Sequence, residues 1–144
     1  MRRFLILCCF CFYLLISCQN NSMANRTYDY SDFIHLHIKW DDVFIQKEDC
    51  YLVYFYSHEC YYCEFFKNEM LNYVAISKKK IYLLSYQEGI PIRSNIQATI
   101  GANNIEQMWF GGTPSLLCLE NKFVIENILG VQNISDYCKS NKLD

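Results

Sequence analysis

Six apolar residues in succession, Tyr51-Leu52-Val53-Tyr54-Phe55-Tyr56, are all good strand formers. Neither parity of the run is polar, so both faces of the strand need covering, and the segment predicts the centre of a sheet. Upstream, Phe33-Ile34-His35-Leu36-His37-Ile38-Lys39 alternates with period two and reads as a strand with Ile34, Leu36 and Ile38 on one face. Trp40-Asp41-Asp42 then opens a short helix through about Glu48, its acids suited to the positive end of the helix dipole. After the central strand, Cys63, Phe66, Met70 and Tyr73 recur at helical spacing and predict a helix to about Lys78. Ile81 to Tyr86 is the next strand, and a helix is expected over Ile96 to Gln107. Ser115 to Leu119 and Phe123 to Leu129 flank the turn Glu120-Asn121-Lys122 as a hairpin. A short helix over Ser135 to Leu143 closes an α/β order of βαβαβαββα.

The first 31 residues follow no such periodicity. Met1-Arg2-Arg3 precedes an apolar run from Phe4 to Ser17, then Cys18 and a polar stretch. A positive start, a short apolar core and a small residue before the break make an export signal. The run has 14 residues, fewer than the roughly 20 that a helix needs to cross a bilayer. Leu15-Ile16-Ser17-Cys18 resembles the bacterial lipobox, which implies cleavage before Cys18 and acylation of that residue. An ordinary secretory cleavage site and an uncleaved anchor are the alternatives. Acyl chains contribute about 0.8 kcal/mol per buried methylene, so two or three of them hold a domain on a membrane. The organisation read here is a lipoprotein signal over residues 1–17, a polar tether over 18–31 and one domain over 32–144.

Composition agrees with one globular domain. Of 144 residues, 52% are hydrophobic, and twelve Tyr and ten Phe stand against five Gly and two Pro. The formal charge of −2 leaves no cationic field for a nucleic-acid backbone. Loss of residues 1–17 with their two arginines leaves 11 basic against 15 acidic residues, a net −4. Membrane attachment then falls to the acyl chains.

The chemistry is carried by Cys60-Tyr61-Tyr62-Cys63, placed where the central strand ends and the long helix begins. Backbone N–H groups of a first helical turn, with the dipole, stabilise a thiolate. Cys60 is therefore the expected nucleophile. Cys63, one turn along the same face, is positioned to attack the mixed disulfide and release the substrate. Such a pair exchanges disulfides without a cofactor or metal. Zinc is the competing use of His58, Cys60 and Cys63, but no second ligand pair with zinc spacing follows. Tyr61, Tyr62, Phe65 and Phe66 read as packing and docking surface, with Tyr61 and Tyr62 free to grip an unfolded substrate.

Over about residues 33 to 144 the chain resembles the thioredoxin fold. The strand Tyr51 to Tyr56 runs into Cys60-x-x-Cys63, Gly112-Thr113-Pro114 opens the later hairpin, and Gly130 precedes the last helix. The resemblance implies that Pro114 is cis and lies against the cysteines, and that the Thr113 backbone binds extended substrate. The lipobox together with Tyr54-Phe55-Tyr56-Ser57 is similar to small thioredoxin-like lipoproteins of Gram-positive bacteria, including bacteriocin-transport accessory proteins. Three positions depart from the thioredoxin pattern: Gly-Pro between the cysteines is Tyr61-Tyr62, the buried acid is Tyr54, and the Trp before the first cysteine is Glu59. Glu59 opposes thiolate formation, while a protonated, inward-pointing His58 would favour it. With no cation between the cysteines, the reading leans toward a reductase or general exchanger.

The expected function is thiol–disulfide exchange on extracytoplasmic proteins by a lipid-anchored domain at the cell membrane, reset by a membrane redox partner. A non-catalytic accessory lipoprotein for a secreted peptide or transporter is the alternative. Of the other thiols, Cys118 is expected as a buried free cysteine, with a Cys118–Cys138 bridge as the competing arrangement. Lys78-Lys79-Lys80 reads as a solvated helix end, and His35 and His37 as exposed strand residues.

Overall fold

The computed structural model describes residues 26–87 and 90–141. The signal segment, Cys18 and most of the tether lie outside the described residues, as do residues 142–144. Among the described residues no helix is long and apolar enough to cross a membrane.

Among the described residues four strands form one mixed sheet: β1 (Cys50–Tyr56), β2 (Lys80–Ser85), β3 (Ser115–Glu120) and β4 (Phe123–Leu129), in the order β2-β1-β3-β4. β1 pairs parallel with β2 and antiparallel with β3, and β3 pairs antiparallel with β4. The apolar run of β1 is explained by its two faces. Leu52, Tyr54 and Tyr56 enter one core cluster, while Tyr51, Val53 and Phe55 enter the other. The first cluster is roofed by α1 (Tyr61–Ile76) and α2 (Val131–Ser140). Phe66, Met70 and Ile134 are among its helix-borne members, each worth about 1.5–3 kcal/mol relative to exposure. Ser135 of α2 donates a hydrogen bond to Glu69 of α1 at 2.5 Å, locking the helices together.

The opposite face is covered by irregular chain, with Val43, Phe44, Met108 and Phe110 filling the second cluster. The helix expected over 96–107 is two 3₁₀ turns, Ile96–Thr99 and Ile105–Gln107. Side chains hold this segment down. The Trp109 N–H donates to the Thr99 hydroxyl at 2.9 Å, and Asn127 of β4 donates to the carbonyls of Ile96 and Trp109 at 3.2 and 3.1 Å.

The expected first strand is absent. Residues Tyr30–Leu36 form a 3₁₀ helix, kinked at Phe33. Its buried residues are Tyr30, Phe33 and Leu36, spaced by three as the 3₁₀ repeat requires. Ile34, assigned to the buried face by the alternation, is 72% exposed. Asp29 and Asp32 form a reciprocal capping box, so residues 29–31 of the segment read as tether belong to a capped 3₁₀ helix. All that remains of the strand is a bridge between His37 and Leu83, with the Ile38 N–H donating to the Leu83 carbonyl at 2.9 Å. The helix expected from Trp40 is the single 3₁₀ turn Trp40–Asp42. Two ends also move. The α1 cap is Ser77, which leaves Lys80 in β2, and the last helix starts at Val131 because Gly130, at φ +88°, is its N-cap. The hairpin turn is as expected, with Asn121 and Lys122 both left-handed at φ 50° and 67°.

Candidate active site

Cys60 is the N-cap of α1. Its backbone is extended, and its Sγ accepts the Cys63 N–H at 3.2 Å. That N–H is one of the donors a helix start leaves unpaired, so the cap position delivers a hydrogen bond to the sulfur. On the other side, the Cys60 thiol donates to the Thr113 carbonyl at 3.4 Å. The Thr113–Pro114 peptide is cis, and the Pro114 carbonyl accepts the Gly130 N–H at 3.0 Å, fastening the turn to the start of α2.

This is the arrangement of a thioredoxin fold. A mixed sheet with its helices, a cysteine pair at a strand-to-helix junction and a cis proline beside it are all present.

The two thiols are in contact and differ electrostatically. Partial burial alone would raise the Cys60 pKa. Hydrogen bonds from Cys63, from the Thr113 side chain and from the Cys63 and Tyr62 backbone N–H groups outweigh it, so the net shift is downward. Cys63 is fully buried, and its pKa is pushed up by that burial and by its hydrogen bond to Cys60. One sulfur is thus set to be the thiolate and the other to stay protonated. His58 does not point inward, the condition under which it would favour the thiolate. His58 is exposed, its ring edge-on to Tyr30 and Tyr56, and Glu59 is exposed as well. Among the described residues no three His, Cys, Asp or Glu side chains converge to hold a metal ion.

Two open grooves meet at Thr113. One, of about 240 Å³, contains Cys60 and is bounded by Glu59, Tyr86, Ile92 and Phe110. The other, of about 520 Å³, is bounded by Tyr62, Pro114, Leu129 and Val131. Tyr61, Tyr62 and Phe65 project from the first turns of α1, exposed by 76%, 63% and 73%. Gly111 lies in the wall of the larger groove, where a Cβ would strike the Ile96 side chain and come within 3.2 Å of Leu129.

Tyr54, noted in the sequence for the acid it displaces, is 0% exposed. Tyr30 was not foreseen as part of the site: its ring stacks on Tyr56 at 3.7 Å between centroids. His37 is half-buried rather than exposed, its Nε2 lying 3.0 Å from the Tyr56 hydroxyl. Of the remaining cysteines, Cys50 is exposed and Cys118 is a buried free thiol, so the Cys118–Cys138 bridge is not formed. Burial pushes the Cys118 pKa up to about 12, against the opposing hydrogen bond with Tyr137.

No family model and no curated protein matches the chain. Among solved structures it is similar to thioredoxin f2 of Chlamydomonas reinhardtii, at 12% identity over 76% of this chain and 95% of that one, with a TM-score of 0.49. It is likewise similar to an N21Q mutant thioredoxin of Halobacterium salinarum, at 18% identity over 74% and 89%, TM-score 0.47. Mitochondrial thioredoxin 3 of Saccharomyces cerevisiae aligns at 14% identity over 75% and 93%, TM-score 0.47. These likenesses are distant, and the fold is read from the sheet order, the cysteine pair and the cis proline.

Proposed function

We propose that the chain is a membrane-tethered thiol–disulfide oxidoreductase acting on extracytoplasmic proteins. The observation that carries the reading is the Cys60 sulfur held between the Cys63 N–H and Thr113, with its pKa lowered while that of Cys63 is raised. In the reducing direction the Cys60 thiolate attacks a substrate disulfide, forming a mixed disulfide and releasing one substrate thiolate. Cys63 then loses its proton and attacks the Cys60 sulfur. The Cys60–Cys63 bond forms, the bond to substrate breaks, and the departing sulfur takes up a proton. The substrate gains two electrons and the cysteine pair loses two. Thr113 and Pro114 shape the groove in which the substrate lies, and Tyr61 and Tyr62 supply an apolar grip on its chain. No cofactor enters. The pair turns over once on its own, so a membrane redox partner resets it.

Tethering is assigned to acylation of Cys18, with the domain on the extracytoplasmic face of the cell membrane. Its support is the sequence of residues 1–18. A Cys18→Ala chain that still sediments with membranes refutes it.

Exchange is tested by insulin-disulfide reduction. Wild type is expected to reduce insulin and Cys60→Ser to fail; equal rates would make the protein a binding module with structural cysteines. Cys63→Ala is expected to accumulate mixed disulfides through Cys60, which a binding module would not do.

A further inference from the structure

Among the described residues, three buried side-chain polar atoms make no hydrogen bond: the Tyr30 hydroxyl, the Tyr54 hydroxyl and Nδ1 of His37. All three are tied to Tyr56. Tyr30 and Tyr54 stack on its ring at 3.7 and 6.3 Å between centroids, and His37 meets its hydroxyl. Tyr30, Tyr54 and Tyr56 share the core cluster of Cys63. Buried hydroxyls without a bond of normal geometry are uncommon, and phenylalanine would pack the same space without the cost. Two of them lie in the cluster that holds a fully buried thiol, which has to become an anion during exchange.

We propose that Tyr54, with Tyr30, is a positioning residue for the resolving step. Its hydroxyl, held by no hydrogen bond of normal geometry, turns its proton toward the Cys63 sulfur as that sulfur becomes a thiolate, and holds the charge for attack on Cys60. The inference rests on the exchange reading above. Bond changes are those already given: the Cys63 proton ends on the departing substrate sulfur, and both tyrosines keep their own. Turning one hydroxyl about its C–O bond is a small reorganisation, and a hydrogen bond to a charged sulfur is stronger in a dry site than in water. The electrostatics agree in direction: burial and then Tyr30 raise the Tyr54 pKa, burial raises that of Tyr30, and a negative Cys63 raises both further.

The elements around this cluster carry further ionisable groups. Cys60, Glu64 and Lys67 lie on its own helix, the last two in a 2.6 Å ion pair. Tyr56 belongs to β1, with His58 beyond it and His37 behind it. Asp29 caps the N-terminal 3₁₀ helix, and the Thr113-Pro114 turn brings no ionisable side chain.

The test is a single turnover of the reduced full chain with oxidised glutathione, quenched in acid and mapped by proteolysis and mass spectrometry, so that each cysteine is read separately. The lifetime of the Cys60–glutathione adduct before it becomes the Cys60–Cys63 disulfide is followed as a function of pH. Tyr54→Phe is expected to lengthen that lifetime about tenfold at neutral pH and to move its pH midpoint up by about one unit. Tyr30→Phe is expected to act in the same direction, more weakly. The rate of adduct formation serves as the internal reference for a folded site. Adduct lifetimes and midpoints matching wild type in both variants, each folded by circular dichroism, overturn the inference and leave the exchange reading standing. A wild type that never forms the Cys60 adduct overturns both. Should Tyr54→Phe fail to fold, an unchanged midpoint in Tyr30→Phe alone refutes the role of the pair.

Discussion

Replacing Tyr54 by Phe is also a stability experiment, with an outcome opposite to that of most core substitutions. The variant removes one oxygen from a side chain with no exposure and leaves the ring against Tyr56 in place. A buried hydroxyl without its bond costs about 1–3 kcal/mol. The Tyr30 hydroxyl approaches closely enough to shift the Tyr54 pKa, though not at normal hydrogen-bond geometry, so part of that cost is already recovered. The expected result is therefore at the low end, a gain of about 1 kcal/mol, or roughly 4 °C in Tm for a domain of this size. Urea unfolding of the reduced protein at neutral pH, with the midpoint rising and the slope unchanged, reads the effect directly. A double-mutant cycle with Tyr30→Phe should give a coupling below about 0.5 kcal/mol, since no true bond is broken. A loss of more than about 1 kcal/mol in Tyr54→Phe refutes the reasoning, because it shows that the hydroxyl is satisfied in the fold. Greater stability together with a slower resolving step would mark the orphaned oxygen as retained for function at the expense of the fold.

Thr113→Ala removes a hydrogen bond that favours the Cys60 thiolate; the pH midpoint for alkylation of Cys60 by iodoacetamide should rise by roughly half a unit. Asn127→Ala leaves the carbonyls of Ile96 and Trp109 without their donor and should cost about 1–3 kcal/mol, with faster hydrogen exchange concentrated in residues 96–110. Gly111→Ala drives a methyl group into Ile96 and Leu129, and a loss of about 1–3 kcal/mol in urea unfolding is expected. Stability should also fall at alkaline pH. Burial raises the Cys118 and Tyr51 pKa values to about 12, so between their ordinary values and 12 the unfolded chain holds fewer protons than the folded one. The unfolding free energy then decreases as pH rises. Cys118→Ala should flatten the decline in a urea midpoint series across that range, and an identical slope would refute the assignment.

Those parts of the molecule that depend on neighbouring residues were legible in the sequence. β1 needed only six consecutive apolar residues to declare two buried faces, and α1 only the spacing of Cys63, Phe66, Met70 and Tyr73. The cysteine site was legible for the same reason: the cap donor that reaches Cys60 comes from three residues along the chain. In residues 30–38 the local signal was ambiguous. Periods of two and three both pass through Leu36, and the apolar Ile34 and Ile38 favour the period of a strand. The polar Asp29 and Asp32, which cap a 3₁₀ turn, pointed the other way. The cover of the second face had no periodic signal at all, since it is fastened by side-chain bonds such as Asn127 to Ile96, 31 residues apart.

The same distinction runs through the site itself. Cys60 and Cys63 are one turn of helix, whereas the place of Thr113-Pro114 beside them, 50 residues further along the chain, comes only from the resemblance to the thioredoxin fold. Tyr30 and Tyr54 are 24 residues apart, on a 3₁₀ helix and a central strand, and each alone reads as a core aromatic. Only their meeting leaves two hydroxyls buried and uncommitted near a thiol. Periodicity reports which side of an element is apolar, not whether a polar atom on that side has found a partner. A buried tyrosine is therefore indistinguishable in sequence from a buried phenylalanine until its oxygen can be followed to a bond or to the lack of one. Here that lack separates a packing residue from one that can respond when a neighbouring sulfur acquires charge.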